Sequence, residues 1–255
     1  MGKKATPKIV RSTALNQVDR IKENFLKLGQ RAIADIVQSK IEDALTGKIS
    51  VVDSIEDLTV RQLEANEENR VDSNIKQAHF PWQGKTLATY DFSIPKRINK
   101  EQIMYLATCN FIEEGRNVLI FGPSRVGKTH IAVGLGREAI NQGHPTLFVD
   151  LTDLIIQLTR KEMSEREQET LLKKLQNKKL LILDEIREQE VSSHARTFLF
   201  RLVKHRNEKR MPIIFTSMQG LEQWKAIFHN DRDSVINRIR EKSIEIVIDG
   251  DPWLI

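Results

Sequence analysis

Cysteine is almost missing from this chain of 255 residues. Cys109 stands alone, so no disulfide forms within the chain and no structural zinc site built on several thiolates is possible. The histidines (His79, His130, His144, His194, His205, His229) never fall into a His-Glu-x-x-His arrangement, which removes the zincin class. Proline (7) and glycine (12) are scarce, and with 40% apolar and 29% charged residues the composition is that of a folded globular protein, not a disordered or collagen-like one. Apolar runs are short: a stretch such as 117–121 falls far below the roughly 18 residues a membrane span needs, so no membrane association is expected. No hydrophobic segment follows the basic start, so no secretory signal is expected and the chain is predicted to be cytoplasmic. Met1-Gly2 followed by Thr6 satisfies the myristoylation pattern, which is degenerate enough to arise by chance. Charge of neither sign dominates. Forty Lys and Arg against 35 Asp and Glu leave +5 and a pI near 9.2, a mild lean toward nucleic acid that does not by itself choose a partner.

What is present changes character along the chain. Residues 12–78 lack strand-like alternation and carry apolar positions at helical spacing, such as Val18, Ile21, Phe25 and Leu28, which predicts two or three helices. Ser54 with Asp57 reads as a capping box opening a long, charged, mostly solvated helix through Leu58 and Leu63 toward Ile75. Pro81, Gly84 and Pro95 then punctuate the chain, placing a boundary near residue 80. The expected organisation is a helical domain over 1–80 and a second domain over 81–255. From Asn117 onward, β-rich runs at 117–121, 146–150, 179–184, 212–217 and 244–248 alternate with helical stretches at roughly 128–142, 150–159, 165–177, 192–209 and 231–241. That alternation predicts an α/β fold, a parallel sheet with helices on both faces.

The strongest signal is Gly122-Pro123-Ser124-Arg125-Val126-Gly127-Lys128-Thr129, a complete GxxxxGK[ST] between a predicted strand and a predicted helix. Average composition produces the string by chance in on the order of one chain per hundred of this length. Glycines let backbone N–H groups wrap phosphates, and the helix N-terminus offers its positive dipole end. Lys128 neutralises the β- and γ-phosphates and Thr129 supplies a hydroxyl to Mg²⁺; the loop through His130 is the expected ATP-binding segment. Further on, Lys178-Lys-Leu-Leu-Ile-Leu-Asp184-Glu185 ends an apolar run in two carboxylates, as expected where a buried strand emerges at a nucleotide cleft. Asp184 is expected to hold Mg²⁺ and Glu185 to polarise the attacking water.

Thr216 and Ser217 close the next strand, where they either face water and phosphate or cap a turn. Arg238 and Arg240, two residues apart, point to different sides of a helix. One of them fits a γ-phosphate contact across a subunit interface; a solvated helix or an ion pair with Glu241 fits the spacing equally. Between Arg196 and Arg210, six cations (Arg196, Arg201, Lys204, Arg206, Lys209, Arg210) interleave with Phe198, Leu199, Leu202 and Val203. The apolar positions suit a buried helix face and the basic ones its outside, which is either solvated or, like the segment from Lys3 to Arg11, phosphate-binding.

The chain resembles the IstB-type helper ATPases of insertion sequences, a branch of the AAA+ class close to the DnaC and DnaI helicase loaders. The resemblance runs through His79-Phe-Pro, Thr86–Ser93, Phe111–Pro123, Gly127–Gly136, Leu180–Glu185, Thr216-Ser217, Glu222-Gln-Trp224 and Asn237-Arg-Ile239. It implies a small helical N-terminal domain used in assembly and an AAA+ P-loop core with a three-layer architecture. It also implies homo-oligomerisation on duplex DNA and a cognate transposase as partner, with a replicative helicase as the alternative client. By position it assigns Gly122–Thr129 to the Walker A loop, Asp184 and Glu185 to the Walker B pair, and Arg238 to the finger. The sequence departs from the family pattern at Arg125, where glycine is usual, and at Met218, where asparagine typically ends the sensor strand. It departs again at Ile186-Arg-Glu-Gln189, which replaces a Leu-Gly-Tyr-type continuation. A weakly hydrolysing, nucleotide-gated scaffold is the second alternative these departures raise.

Overall fold

The computed structural model describes residues 8–95, 97–159, 163–187, 191–228 and 234–250, and the chain divides into two compact units, Met1–Asp72 and Ser73–Ile255. The first holds α1 (Lys8–Lys27), α2 (Arg31–Leu45) and most of α3 (Val51–Gln77). Ile33, Ala34 and Val37 bury the inner face of α2. α3 begins a turn earlier than the Ser54/Asp57 signature predicts. Its capping box is formed by Ser50 and Asp53: Asp53 N–H donates to Ser50 Oγ at 3.0 Å and Ser50 N–H to Asp53 Oδ2 at 3.3 Å. Two consecutive Ser-x-x-Asp pairs compete, and tertiary structure claims the second. Ser54 is buried, its hydroxyl shared between Ser50 O and Lys40 O, while Asp57 pairs with Lys40. The basic side chains from Lys3 to Arg11 lie outside the described residues. No helix among the described residues is long and apolar enough to cross a membrane.

The second unit is built on five strands, β1 (Asn117–Phe121), β2 (Thr146–Asp150), β3 (Leu180–Ile186), β4 (Ile213–Ser217) and β5 (Ser243–Val247). All are parallel, in the order β2-β3-β4-β1-β5. Because strand side chains alternate, β1 sends Leu119 to one face and Val118 and Ile120 to the other, and each face carries its own apolar cluster. On the first pack α7 (Leu151–Thr159), α8 (Glu165–Asn177) and α9 (Ser193–Glu208), with Leu154, Leu172 and Leu202 fully in the core. On the second pack α4 (Lys100–Leu106), α5 (Asn110–Glu114) and α6 (Lys128–Asn141) through Ile103, Phe111 and Leu135. The three-layer α/β expectation holds. The last helix, α10 (Ser234–Glu241), follows a 3-10 stretch at Leu221–Ala226; residues 231–233 of its predicted span lie outside the described residues.

Arg206 corrects the reading of α9. It does not lie on an outer basic face; it is 0% exposed, and its guanidinium donates to the carbonyls of Leu175, Gln176, Lys178, Lys179 and Pro212. Those carbonyls belong to the C-terminal end of α8 and the entries to β3 and β4, where a cation meets the negative end of the helix dipole. Burial pushes the guanidinium pKa down to about 9.

Residues 78–90 lie along α6. Phe148 N–H donates to Ala78 O at 2.8 Å, Arg137 donates to the carbonyls of Trp82 and Gln83 and sits 5.5 Å over the Phe80 ring, and Leu87 packs beside Gly134. A Cβ at Gly134 would stand 2.7 Å from Leu87 Cδ2, and one at Gly136 3.0 Å from Phe80 Cε1.

Candidate functional site

Three carboxyl-terminal strand ends, β1, β3 and β4, meet at one edge of the sheet, where ligands bind in open α/β folds. From β1 the chain turns through 122–127 into α6, whose first N–H groups have no partner within the helix and attract an anion. Two glycines are dictated here. A Cβ at Gly122 would stand 2.4 Å from Ile248 O, and Gly127, at φ 92°, would put one 2.5 Å from Tyr90 Cε2. Tyr90 also donates its hydroxyl to Val126 O at 2.9 Å, bracing the loop while the Val126 side chain sits in the core. Arg125 adopts φ 64°, the left-handed conformation that explains why a glycine is the easier residue at this place.

Lys128 is 8% exposed and its ammonium donates to Pro123 O at 2.6 Å. Burial lowers its pKa against the opposing pull of Asp184 and Glu185. Behind it stands a chain of oxygens. Thr129 Oγ1 lies 2.9 and 3.0 Å from the two carboxylate oxygens of Asp184, and Thr216 Oγ1 donates to Asp184 Oδ1 at 2.5 Å. Glu185 N–H donates in turn to Thr216 Oγ1 at 2.9 Å. Asp184 is 4% exposed; burial raises its pKa to about 6, the Thr216 and Thr129 hydroxyls pull it back, and Glu185 and Asp150 push it further up. The β3–β4 register breaks between Leu183 and Ile186, and in that break Glu185 takes φ 58° and stands exposed. A bulge of this kind re-aims a side chain beside an active site.

The strand-end hydroxyls are therefore not open to a ligand. Thr216 serves Asp184 and Glu185, and Ser217 Oγ donates to Ile186 O at 2.5 Å while accepting from Trp224 Nε1 at 3.1 Å. His130, expected in the nucleotide segment, is 5% exposed, with Nε2 2.8 Å from Thr86 O and 3.2 Å from Thr89 Oγ1. Its burial lowers its pKa. It helps hold residues 86–89 against α6.

These residues enclose a cleft of about 480 Å³ lined by Ser124, Arg125, Gly127, Lys128, Thr129 and His130 from the loop and helix, Glu185 and Ile186 from β3 with Arg187 just after it, Ser217 from β4 with Met218 just after it, and Trp82 and Lys85 from the 78–90 segment. Of the other expected site residues, Gly122, Pro123 and Val126 supply loop backbone, and Asp184 reaches the cleft through Thr129. Arg238 is exposed on α10 and does not line the cleft; Arg240 pairs with Glu222 at 2.9 Å, not with Glu241. The sequence reading missed Tyr90, Trp82 and Lys85. Tyr90 lay within a stretch carrying the family resemblance, but no spacing rule ties it to a loop so far along the chain. The Thr129 hydroxyl beside the Asp184 carboxylate makes a hard-oxygen pair, the donor chemistry Mg²⁺ takes when substrate phosphates and water complete its shell.

A parallel sheet in this order, with the GxxxxGKT loop leaving β1 and the paired carboxylates ending β3, defines a P-loop protein of the AAA+ class. Within it, the chain belongs to the IstB-like ATP binding protein family, whose sequence profile matches residues 23–253. It is 31% identical over 235 residues to a protein of insertion sequence IS232 from Bacillus thuringiensis subsp. berliner, named as ATP-binding, covering 91% of each chain. To the protein similarly named in insertion sequence IS21 of Pseudomonas aeruginosa it is 32% identical, covering 85% of this chain and 82% of that one. In fold it is similar to the crystal structure of the DnaC helicase loader, with a TM-score of 0.54 at 22% identity over 66% of this chain and 98% of that one.

Proposed function

We propose that this protein is an ATPase that oligomerises on duplex DNA in the cytoplasm and assists a cognate transposase in target selection and integration. The observation that carries the ATPase reading is the hydrogen-bonded run Thr129–Asp184–Thr216–Glu185 beneath the P-loop, which fixes a Mg²⁺-type oxygen pair and an exposed carboxylate on one cleft. Membership of an ATP-binding family, and relatives that belong to insertion sequences, support the client reading.

In this reading the N–H groups of residues 122–129 and the Lys128 ammonium hold the phosphates of ATP, the ammonium exchanging the Pro123 carbonyl for phosphate oxygen. Thr129 and Asp184 hold Mg²⁺, which supplies charge neutralisation of the β- and γ-phosphates. Glu185 takes a proton from water as the water oxygen bonds to the γ-phosphorus and the bond to the bridging oxygen breaks, giving ADP and phosphate. Arg238 reaches the γ-phosphate of a neighbouring subunit, so ATP favours the assembled state by the extra contact it makes there. Residues 1–80 serve assembly and 81–255 carry the ATPase.

Turnover at low salt with and without duplex DNA, for the wild type, Lys128→Ala and Glu185→Gln, tests it. DNA-stimulated turnover lost in both variants is expected, with DNA affinity falling steeply as salt rises because phosphate contacts release counterions. A flat salt response overturns the DNA claim. Met218 on the cleft wall, 54% exposed, favours a second reading, a nucleotide-gated scaffold with little hydrolysis. Absence of turnover with ATP-dependent DNA binding intact selects it. Capture of a replicative helicase in place of the transposase selects a helicase-loader role.

A further inference from the structure

Among the described residues, the side chains at the end of β4 bring no free hydrogen-bond donor to the cleft. Thr216 and Ser217 are engaged inside the protein, and the next residue, Met218, presents a thioether, which accepts weakly and donates nothing. Yet phosphoryl transfer spreads negative charge over three equatorial oxygens, and donors aimed at that charge give the largest single contribution to such reactions. The water-activating carboxylate and the Thr129–Asp184 pair mark which end of the cleft the terminal phosphate occupies. Arg187 lines the same cleft and follows Glu185 by two residues in the chain.

Its position is built, not incidental. The bulge after Leu183 and the 0% exposed Ile186, whose carbonyl accepts from Ser217 Oγ, fix the backbone from which Arg187 departs. The side chain is exposed, and its one hydrogen bond among the described residues is a long one, Nη2 to the neutral Thr152 Oγ1 at 3.3 Å. A guanidinium carries five donors in a planar fork that matches phosphate oxygens, so a terminal phosphate outcompetes that hydroxyl. Lys85, Arg125 and Lys128 share the cleft with it, and among the described lining residues Glu185 is the only carboxylate, a balance suited to a polyanion.

We propose that Arg187 is a catalytic residue acting within its own chain: its guanidinium binds the γ-phosphate of ATP and takes up the charge that develops there, at the place where Met218 offers no donor. The inference rests on the ATPase reading of the cleft and names the group that makes hydrolysis workable despite Met218.

The test uses the full chain. Affinities for ADP and for a non-hydrolysable ATP analogue, with single-turnover ATP hydrolysis, are measured for the wild type, Arg187→Ala, Arg187→Lys, Met218→Asn and the Arg187→Ala/Met218→Asn pair. Arg187→Ala is expected to weaken the analogue about tenfold while leaving ADP within about twofold, since a charge-assisted bond is lost only where a γ-phosphate exists. The hydrolysis rate should fall by about ten- to a hundredfold. Arg187→Lys should recover part of the loss, and Met218→Asn should raise the rate more in the Arg187→Ala background than in the wild type. Equal weakening of ADP and analogue, or no change in either affinity or rate, overturns the inference while leaving the ATPase reading intact. A wild type that binds neither nucleotide overturns both.

Discussion

Thr216 and Asp184 share a hydrogen bond of 2.5 Å, the threonine fully buried and the carboxylate nearly so. The same hydroxyl accepts from the amide of Glu185, so one side chain sets the position of a carboxylate and the start of the bulge that exposes the next one. Thr216→Val keeps the shape and removes both bonds. The expected cost is about 1–3 kcal/mol in urea unfolding, because a buried carboxylate and a partly buried amide lose a partner together. Thr216→Ser should restore most of it. A Thr216→Val protein as stable as the wild type contradicts the assignment.

Arg125 sits at φ 64° in a loop that must wrap phosphates. Arg125→Gly and Arg125→Ala lose the same charge but differ in how they tolerate that conformation. The glycine variant should be the more stable of the two by about 1 kcal/mol, read as a difference in unfolding midpoint at equal denaturant slope.

Arg206 gathers five carbonyls at the end of α8 and the entries to β3 and β4. Arg206→Ala should destabilise the second unit by about 3–5 kcal/mol, the range seen when one side of a buried charged network is removed. Arg206→Lys should recover little, since an ammonium cannot span acceptors arranged for a fork. A lysine variant with wild-type stability counts against the geometry.

Alkaline pH gives a further check. Burial raises the Tyr90 hydroxyl to about 12 and the Cys109 thiol to about 11, both above their ordinary values of 10.0 and 9.0. The folded state therefore holds these protons more tightly than the unfolded one, so their contribution is full at neutral pH and stability declines as pH climbs from near 9 toward 12. In the Tyr90→Phe/Cys109→Ala protein the decline over that range should be shallower. An unchanged slope would show that other groups govern it.

The strands and the P-loop were legible because their signals are local. Short β-rich runs separated by helical stretches read directly as a parallel sheet, and Gly122–Thr129 names its own chemistry. Side chains whose roles depend on distant partners were not. Arg206 looks like any cation on a basic helix until the ends of α8, β3 and β4 converge on it. Ser54 matches the capping pattern as well as Ser50 does, and only its burial against α2 decides between them. Thr216 and Ser217 present hydroxyls at a strand end in the sequence, but the fate of those hydroxyls is set by β3, about 30 residues away in the chain. Tyr90 braces Val126 across a comparable span that no periodicity links.

The fit of Phe80, Leu87 and Tyr90 onto Gly136, Gly134 and Gly127 bears on how this chain tolerates exchange of parts. Segment 78–90 and the P-loop helix form a lock and its key, cut from two separated stretches of polypeptide. A chimera that grafts a relative's helix with side chains at these three positions would jam against the resident segment, whereas one that moves both stretches together would keep the match. Substitutions on either piece should therefore be accepted or rejected according to what the other piece carries.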